Sequence, residues 1–192
     1  MADDARQSDQ QTAVAEDAGG DYPRSMEEVY QYLERSRSAL LAVVEPRSDE
    51  EIGRIGPEGW SVKDHLAHLA VWEGSMTAIL NGGDKGEALG VTPEVMATPG
   101  FDEINEVIRA RWATASRAKV MEMLAAKRRE LQATLGGMTY EDLMKPYASY
   151  QPGSPEKTDP VAYWLAGNTW EHEDEHRPWI EGLLKEVRGA RR

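Results

Sequence analysis

The chemistry this sequence can offer is concentrated in its four histidines. His65 and His68 are three residues apart, and His172 and His176 are four apart. On a helix each pair presents both rings on one face, about a turn from each other. Two such pairs facing one another would gather imidazole nitrogens suited to zinc, nickel, copper or iron. A lone histidine on an apolar face is usually a core residue with a hydrogen-bond partner. Several imidazoles buried together without partners are costly, which favours a metal site. The chain has no cysteine, so thiolate ligands, disulfides and cysteine nucleophiles are excluded and any metal must be held by nitrogen or oxygen.

The string His172-Glu173-Asp174-Glu175-His176 satisfies both H-E-x-x-H and H-x-x-E-H. In those patterns two histidines hold zinc and a glutamate activates water. A Glu-rich helix meets them easily, and no histidine follows His176 to act as the downstream ligand of a zinc peptidase. A third nitrogen ligand must then come from upstream, from His65 or His68. On a helical wheel His65 sits nearer the centre of its apolar face and His68 toward the edge.

These residues must be positioned by helices. Met26, Val29, Tyr30, Leu33, Leu40, Leu41 and Val44 recur at helical spacing, and Pro46 ends that helix. Ser61 and Asp64 form a capping box opening a second helix, which carries His65 and His68 and stops at Asn81-Gly82-Gly83. Residues 81–100, rich in glycine and proline, read as a long loop of the kind that serves as a lid. One long helix is expected over residues 101–135, then a short turn at residues 139–144 and a loop to residue 159. Asp159 and Pro160 read as the cap and first residue of the last helix. On that helix Val161, Leu165, Asn168, His172, His176, Trp179 and Leu183 share the inward face. No segment alternates with the period of a strand, so the expected fold is all-α, a four-helix bundle with long connections.

The chain carries 22 basic and 34 acidic side chains, a net charge of −12. That charge disfavours nucleic acid and anionic lipid as partners, and no signal peptide or membrane span is legible, so a cytoplasmic protein is expected. Residues 1–21 hold six carboxylates and one arginine, too polar to bury a core. The expected division is therefore a disordered acidic tail over residues 1–22 and a helical domain over residues 23–188.

Gly59-Trp60-Ser61-Val62-Lys63-Asp64 leading to Ala67-His68-Leu69, together with Asn168-Thr169-Trp170-Glu171-His172 through His176-Arg177-Pro178-Trp179-Ile180, resembles the DinB/YfiT-like superfamily. Its members include the mycothiol-dependent maleylpyruvate isomerases. The resemblance covers about residues 25–187 and implies a bundle of up-up-down-down course, often a homodimer. It also implies a divalent metal, zinc or nickel foremost, held by His68, His172 and His176. His65 then becomes a pocket or supporting group, joined there by Trp72, Asn168 and Glu175. Three protein ligands leave a coordination position open for water or for the thiolate of a low-molecular-weight thiol.

The function expected on this basis is a metal-dependent enzyme of detoxification or stress response, acting on a small molecule as a hydrolase or thiol-dependent transferase. No catalytic base is assigned. The alternatives are a non-catalytic protein that sequesters a small molecule and, third, a zinc peptidase using Glu173. Trp72, Trp164, Trp170 and Trp179 read mainly as core and dimer surface. The arginines and lysines of residues 109–129 read as a solvated face, and Pro178 as a bend in the last helix.

Overall fold

A computed structural model describes residues 22–189. The expectation for the acidic tail thus lies outside the described residues, except for Tyr22, which belongs to the fold: its ring packs on Tyr163 at 4.7 Å. As expected, the chain is an all-α bundle, with no β-strand among the described residues. None of its helices is long and apolar enough to cross a membrane.

Helix α1 (Met26–Val44) is capped by Ser25 and ends just before Pro46. A single capped turn, α2 (Asp49–Gly53), leads to α3 (Val62–Leu80). There the capping box forms as the sequence predicts, Asp64 N donating to Ser61 Oγ at 3.2 Å and Ser61 N to Asp64 Oδ2 at 2.9 Å. The next connection holds α4 (Lys85–Leu89), α5 (Pro93–Met96) and α6 (Asp102–Trp112), followed by α7 (Arg117–Leu135). After α8 (Tyr140–Leu143) and a 3-10 turn at Tyr147–Ser149, α9 (Val161–Gly167) leads into α10 (Trp170–Gly189).

Several expectations are corrected. Residues 81–100 are not a structureless loop: Asp84 caps α4, Gly90 closes it at φ +70°, and Thr92 with Pro93 opens α5. Leu89 is fully buried against Val71, Trp72, Ile104 and Ile108, which anchors the segment. The long helix of residues 101–135 is broken in two. Lys63 Nζ donates to the carbonyls of Ala113 at 2.6 Å and Ala115 at 2.9 Å, and Ser116 caps the new start. The last helix is likewise interrupted, at Asn168 and Thr169, whose side chains donate to the carbonyls of Trp164 and Leu165, both at 2.6 Å. Its first part is capped by Pro160 with no side-chain bond, so Asp159 is not the cap; its carbonyl accepts from Tyr147 N instead.

Side-chain pairings fix the helix directions. Lys63, Glu73 and Asn81 of the α3 region meet Ala115, Arg128 and Thr134 in the same order, so α3 and α7 are parallel. Tyr32 meets Trp170 and Arg37 meets Glu173, so α1 and α10 are parallel too. His65 and His68 meet His176 and His172, which makes α3 antiparallel to α10. The course along the chain is therefore up, down, down, up, rather than two ascending helices followed by two descending ones. The crossover through α4, α5 and α6 makes this possible, since two parallel neighbours need a connection that travels back the length of a helix.

The core has two apolar ends. One gathers Leu33, Met76, Leu131, Leu135, Leu165 and Trp170; the other gathers Leu40, Leu66, Leu69, Leu124, Ile180 and Leu184. Between them lies a charged layer to which each long helix contributes one residue. Glu173 accepts from Ser36 Oγ at 2.7 Å, Arg37 Nε at 2.7 Å and Arg128 Nη2 at 3.0 Å. Glu73 accepts from Arg37 Nη2 at 2.6 Å and Arg128 Nε at 2.7 Å. The guanidinium groups also donate to the carbonyls of Leu124 and Leu33. Two positive and two negative charges cancel, and their hydrogen bonds satisfy the buried polar atoms, which is the condition for holding ions in a dry core. Arg128 therefore belongs to the core and not to a solvated face. Arg109, Lys119 and Lys127 do stay outside, paired with Glu106, Glu122 and Glu130.

Candidate metal centre

Because α3 and α10 run antiparallel, their histidines meet as two rungs. His68 Nε2 lies 3.0 Å from His172 Nε2, and His65 Nδ1 lies 2.9 Å from His176 Nδ1. The rings of His68, His172 and His176 form a near-equilateral triangle with centroid separations of 4.7–4.8 Å. One nitrogen from each of these three lies within 4.8 Å of the others. In a tetrahedral site ligands about 2 Å from one zinc ion stand roughly 3.3 Å apart, so a bound ion would draw this set inward from separations of up to 4.8 Å. His65 stands outside this set and bonds to one of its members.

The donor chemistry fits a divalent ion. His176 has its Nδ1 engaged by His65, while its Nε2 is buried with no protein partner. The Nε2 atoms of His68 and His172 face each other, and no carboxylate joins the cluster. Burial pushes His65 and His172 down to about 4 and holds His68 and His176 well below the ordinary imidazole range, with neighbouring imidazoles adding to the effect at His68, His172 and His176. At neutral pH all four rings are uncharged, the form in which imidazole ligates metal.

Tryptophans wall the cluster. Trp60, next to the Ser61 cap, packs on His65 at 5.1 Å and His68 at 5.6 Å. Trp72 lies 6.0 Å from His68 and 6.3 Å from His172, its indole N–H donating to Asn105 Oδ1. Trp179 packs on His176 at 4.8 Å and is 39% exposed, so this side opens toward the surface.

The remaining sequence candidates fall elsewhere. Asn168 is buried, and its amide donates to the Trp164 carbonyl at the break between α9 and α10. Glu175 is half-buried and outside the ligand set. Glu171, also half-buried, is shifted upward by burial and then by Asp174. Glu173, the glutamate of H-E-x-x-H, is committed to the charged layer. That layer escaped the sequence reading, although its signal was present: Arg37 lies between Leu33 and Leu40 on the apolar stripe of α1, and Arg128 between Leu124 and Leu131 on that of α7.

The fold and the histidine cluster together define a helical protein with a candidate metal centre between two antiparallel helices. The chain belongs to the DinB superfamily, whose family model matches residues 32–180. A crystal structure of an uncharacterised protein from Escherichia coli UTI89 has the same fold: its TM-score is 0.67 at 13% identity, over 87% of this chain and 96% of that one. No curated protein matches the sequence.

Proposed function

We propose that the protein is a divalent-metal-dependent enzyme acting on a small molecule, with His68, His172 and His176 as the metal ligands and zinc or nickel as the ion. The observation that carries this reading is the set of three uncharged imidazoles, two buried and that of His172 half-buried, with one nitrogen each inside 4.8 Å. Three ligands leave a coordination position open, as catalytic sites do and closed structural sites do not. A bound ion would supply Lewis acidity to polarise a substrate or activate a nucleophile, whether water or the thiolate of a low-molecular-weight thiol. Hydrolase and thiol-dependent transferase chemistry, of a detoxification or stress type, both fit that supply.

The chain's own residues have distinct tasks in this reading. His65 holds His176 by Nδ1 and so aims its Nε2 into the cluster. Trp60 and Trp72 shield the rings from water, and the face beside Trp179 is where a small substrate enters. A peptidase role for Glu173 finds no support, because three donors already occupy its carboxylate. The aromatic walls favour, as a second reading, a protein that sequesters a small molecule without turning it over. A homodimer in the cytoplasm, without nucleic acid or membrane partners, belongs to the same proposal; the family resemblance and the net charge of −12 support it.

The test is elemental analysis of protein purified without chelators, beside the triple variant His68→Ala, His172→Ala, His176→Ala. One divalent ion per chain, lost in the variant, is expected. A metal-free protein whose stability is indifferent to the triple substitution refutes the reading. Stabilisation by a small molecule that survives EDTA in such a protein would favour sequestration.

A further inference from the structure

Most cations among the described residues have visible partners, but two lysines, one of them against a wall of the histidine cluster, do not. Lys63, Arg111 and Arg117 donate to carbonyl oxygens, Arg37 and Arg128 bind carboxylates in the core, and Lys119, Lys127 and Lys145 pair with acids on the surface. The ammonium of Lys85 lies instead 5.0 Å over the Trp72 ring and 5.9 Å from that of Phe101. That of Lys157 lies 4.6 Å over Trp164 and 5.1 Å from Tyr147. Neither side chain donates a hydrogen bond or joins an ion pair among the described residues; the nearest charge of opposite sign acting on Lys157 is its neighbour Glu156.

Both charges gain cation–π attraction from aromatic faces, but Lys157 has given up part of its hydration and Lys85 most of it. Lys85 as a residue is half-buried, while its ammonium end is enclosed. Burial, and after it the charge of Lys157, pushes it down to about 8, so it is still charged at pH 7 and short of a counterion. Trp72 is the shared wall: the same indole packs on Lys85 and on His68 and His172. An anion held by Lys85 would therefore sit one ring away from the candidate metal centre.

We propose that Lys85 and Lys157 form a receptor for an anionic group, a carboxylate or phosphate, with the Trp72 indole between Lys85 and the histidines. Lysine suits this task as a compact point charge with freely turning donors. The substrate class that follows is a small molecule carrying a carboxylate or phosphate. As a statement about substrate this rests on the metal-enzyme reading; as a statement about anion binding it does not.

The test is thermal unfolding of the full-length protein with sodium benzoate and, separately, inorganic phosphate, each against sodium chloride of equal ionic strength, with and without EDTA. At least one probe should raise the melting temperature beyond the chloride control, and the shift should persist in EDTA. Losing one charge-assisted contact should weaken binding about tenfold or more in Lys85→Met and in Lys157→Met, while Lys85→Arg, which keeps the charge, should stay within about threefold. Absence of any shift in the wild type overturns the proposal, as does equal affinity in Lys85→Met. A shift that vanishes with EDTA puts the anion on the metal, which overturns the lysine site and leaves the metal reading intact. A protein that contains no metal yet binds benzoate through Lys85 loses the metal reading and keeps this one.

Discussion

Replacing Glu173 with glutamine removes one of two negative charges from a layer that holds two arginines. In the native protein Arg37 and Arg128 are each held by both carboxylates, and the four charges sum to zero within side chains no more than 8% exposed. After the substitution the two guanidinium groups share Glu73 alone, and a net positive charge stays buried. Breaking a buried pair from one side costs about 3–5 kcal/mol. For a domain of this size each kcal/mol moves the melting temperature by about 2–4 °C, so Glu173→Gln should lower it by roughly 6–20 °C. The assay is urea and thermal denaturation of the wild type, Glu173→Gln, Arg37→Met and the double variant Arg37→Met/Glu173→Gln. The double variant restores neutrality and should recover much of the loss, giving a coupling well above 1 kcal/mol in the cycle. If Glu173→Gln stays within about 1 kcal/mol of the wild type, the charged layer does not hold the bundle as argued.

Other perturbations test neighbouring links. In metal-free protein the unfolded chain takes up protons near pH 6.5, whereas His65 and His172 refuse them until about pH 4. Stability should therefore fall as pH drops from 7 toward 4, by roughly 3 kcal/mol for each imidazole; urea melts in EDTA at pH 7.5 and 5 check this, and equal midpoints would contradict it. His65→Leu frees the Nδ1 of His176 and should weaken metal binding by about 10–100-fold in a chelator competition, with partial rescue by His65→Asn. Ser61→Ala removes an acceptor for Asp64 N and a donor to Asp64 Oδ2, both buried, and should cost about 1–2 kcal/mol in denaturant melts.

Local signals were legible in the sequence, and tertiary contacts were not. Pro46, the Ser61–Asp64 box and the glycines after Asn81 set helix ends by backbone chemistry that acts within a few residues, and all three hold. The break before α7 was hidden because residues 113–115 are tolerable in a helix; what ends the helix there is Lys63, fifty residues earlier, taking its carbonyls. The wheel for the last helix assumed continuous phase through Asn168 and Thr169, where the chain resets. It still turned His172 and His176 inward, because both lie after the break, but it left Glu173 out of the residues sharing that inward face. Glu173 faces a second interior, the charged layer, on another side of α10. The choice between His65 and His68 was likewise beyond a wheel, because both rings point inward and differ in which rung of α10 they meet: His68 meets His172 inside the triangle, and His65 meets His176 from outside it.

The central claim is that His68, His172 and His176 hold a divalent ion. The most direct measurement is metal content by elemental analysis of chelator-free protein, compared with the single variants His65→Leu, His68→Ala, His172→Ala and His176→Ala after reloading with zinc or nickel. The account predicts one tightly held ion per chain in the wild type, its loss in each of the three alanine variants, and a weakened but present ion in His65→Leu. A protein that takes up no stoichiometric ion, or one whose ion survives substitution of His68 and leaves with that of His65, would contradict it.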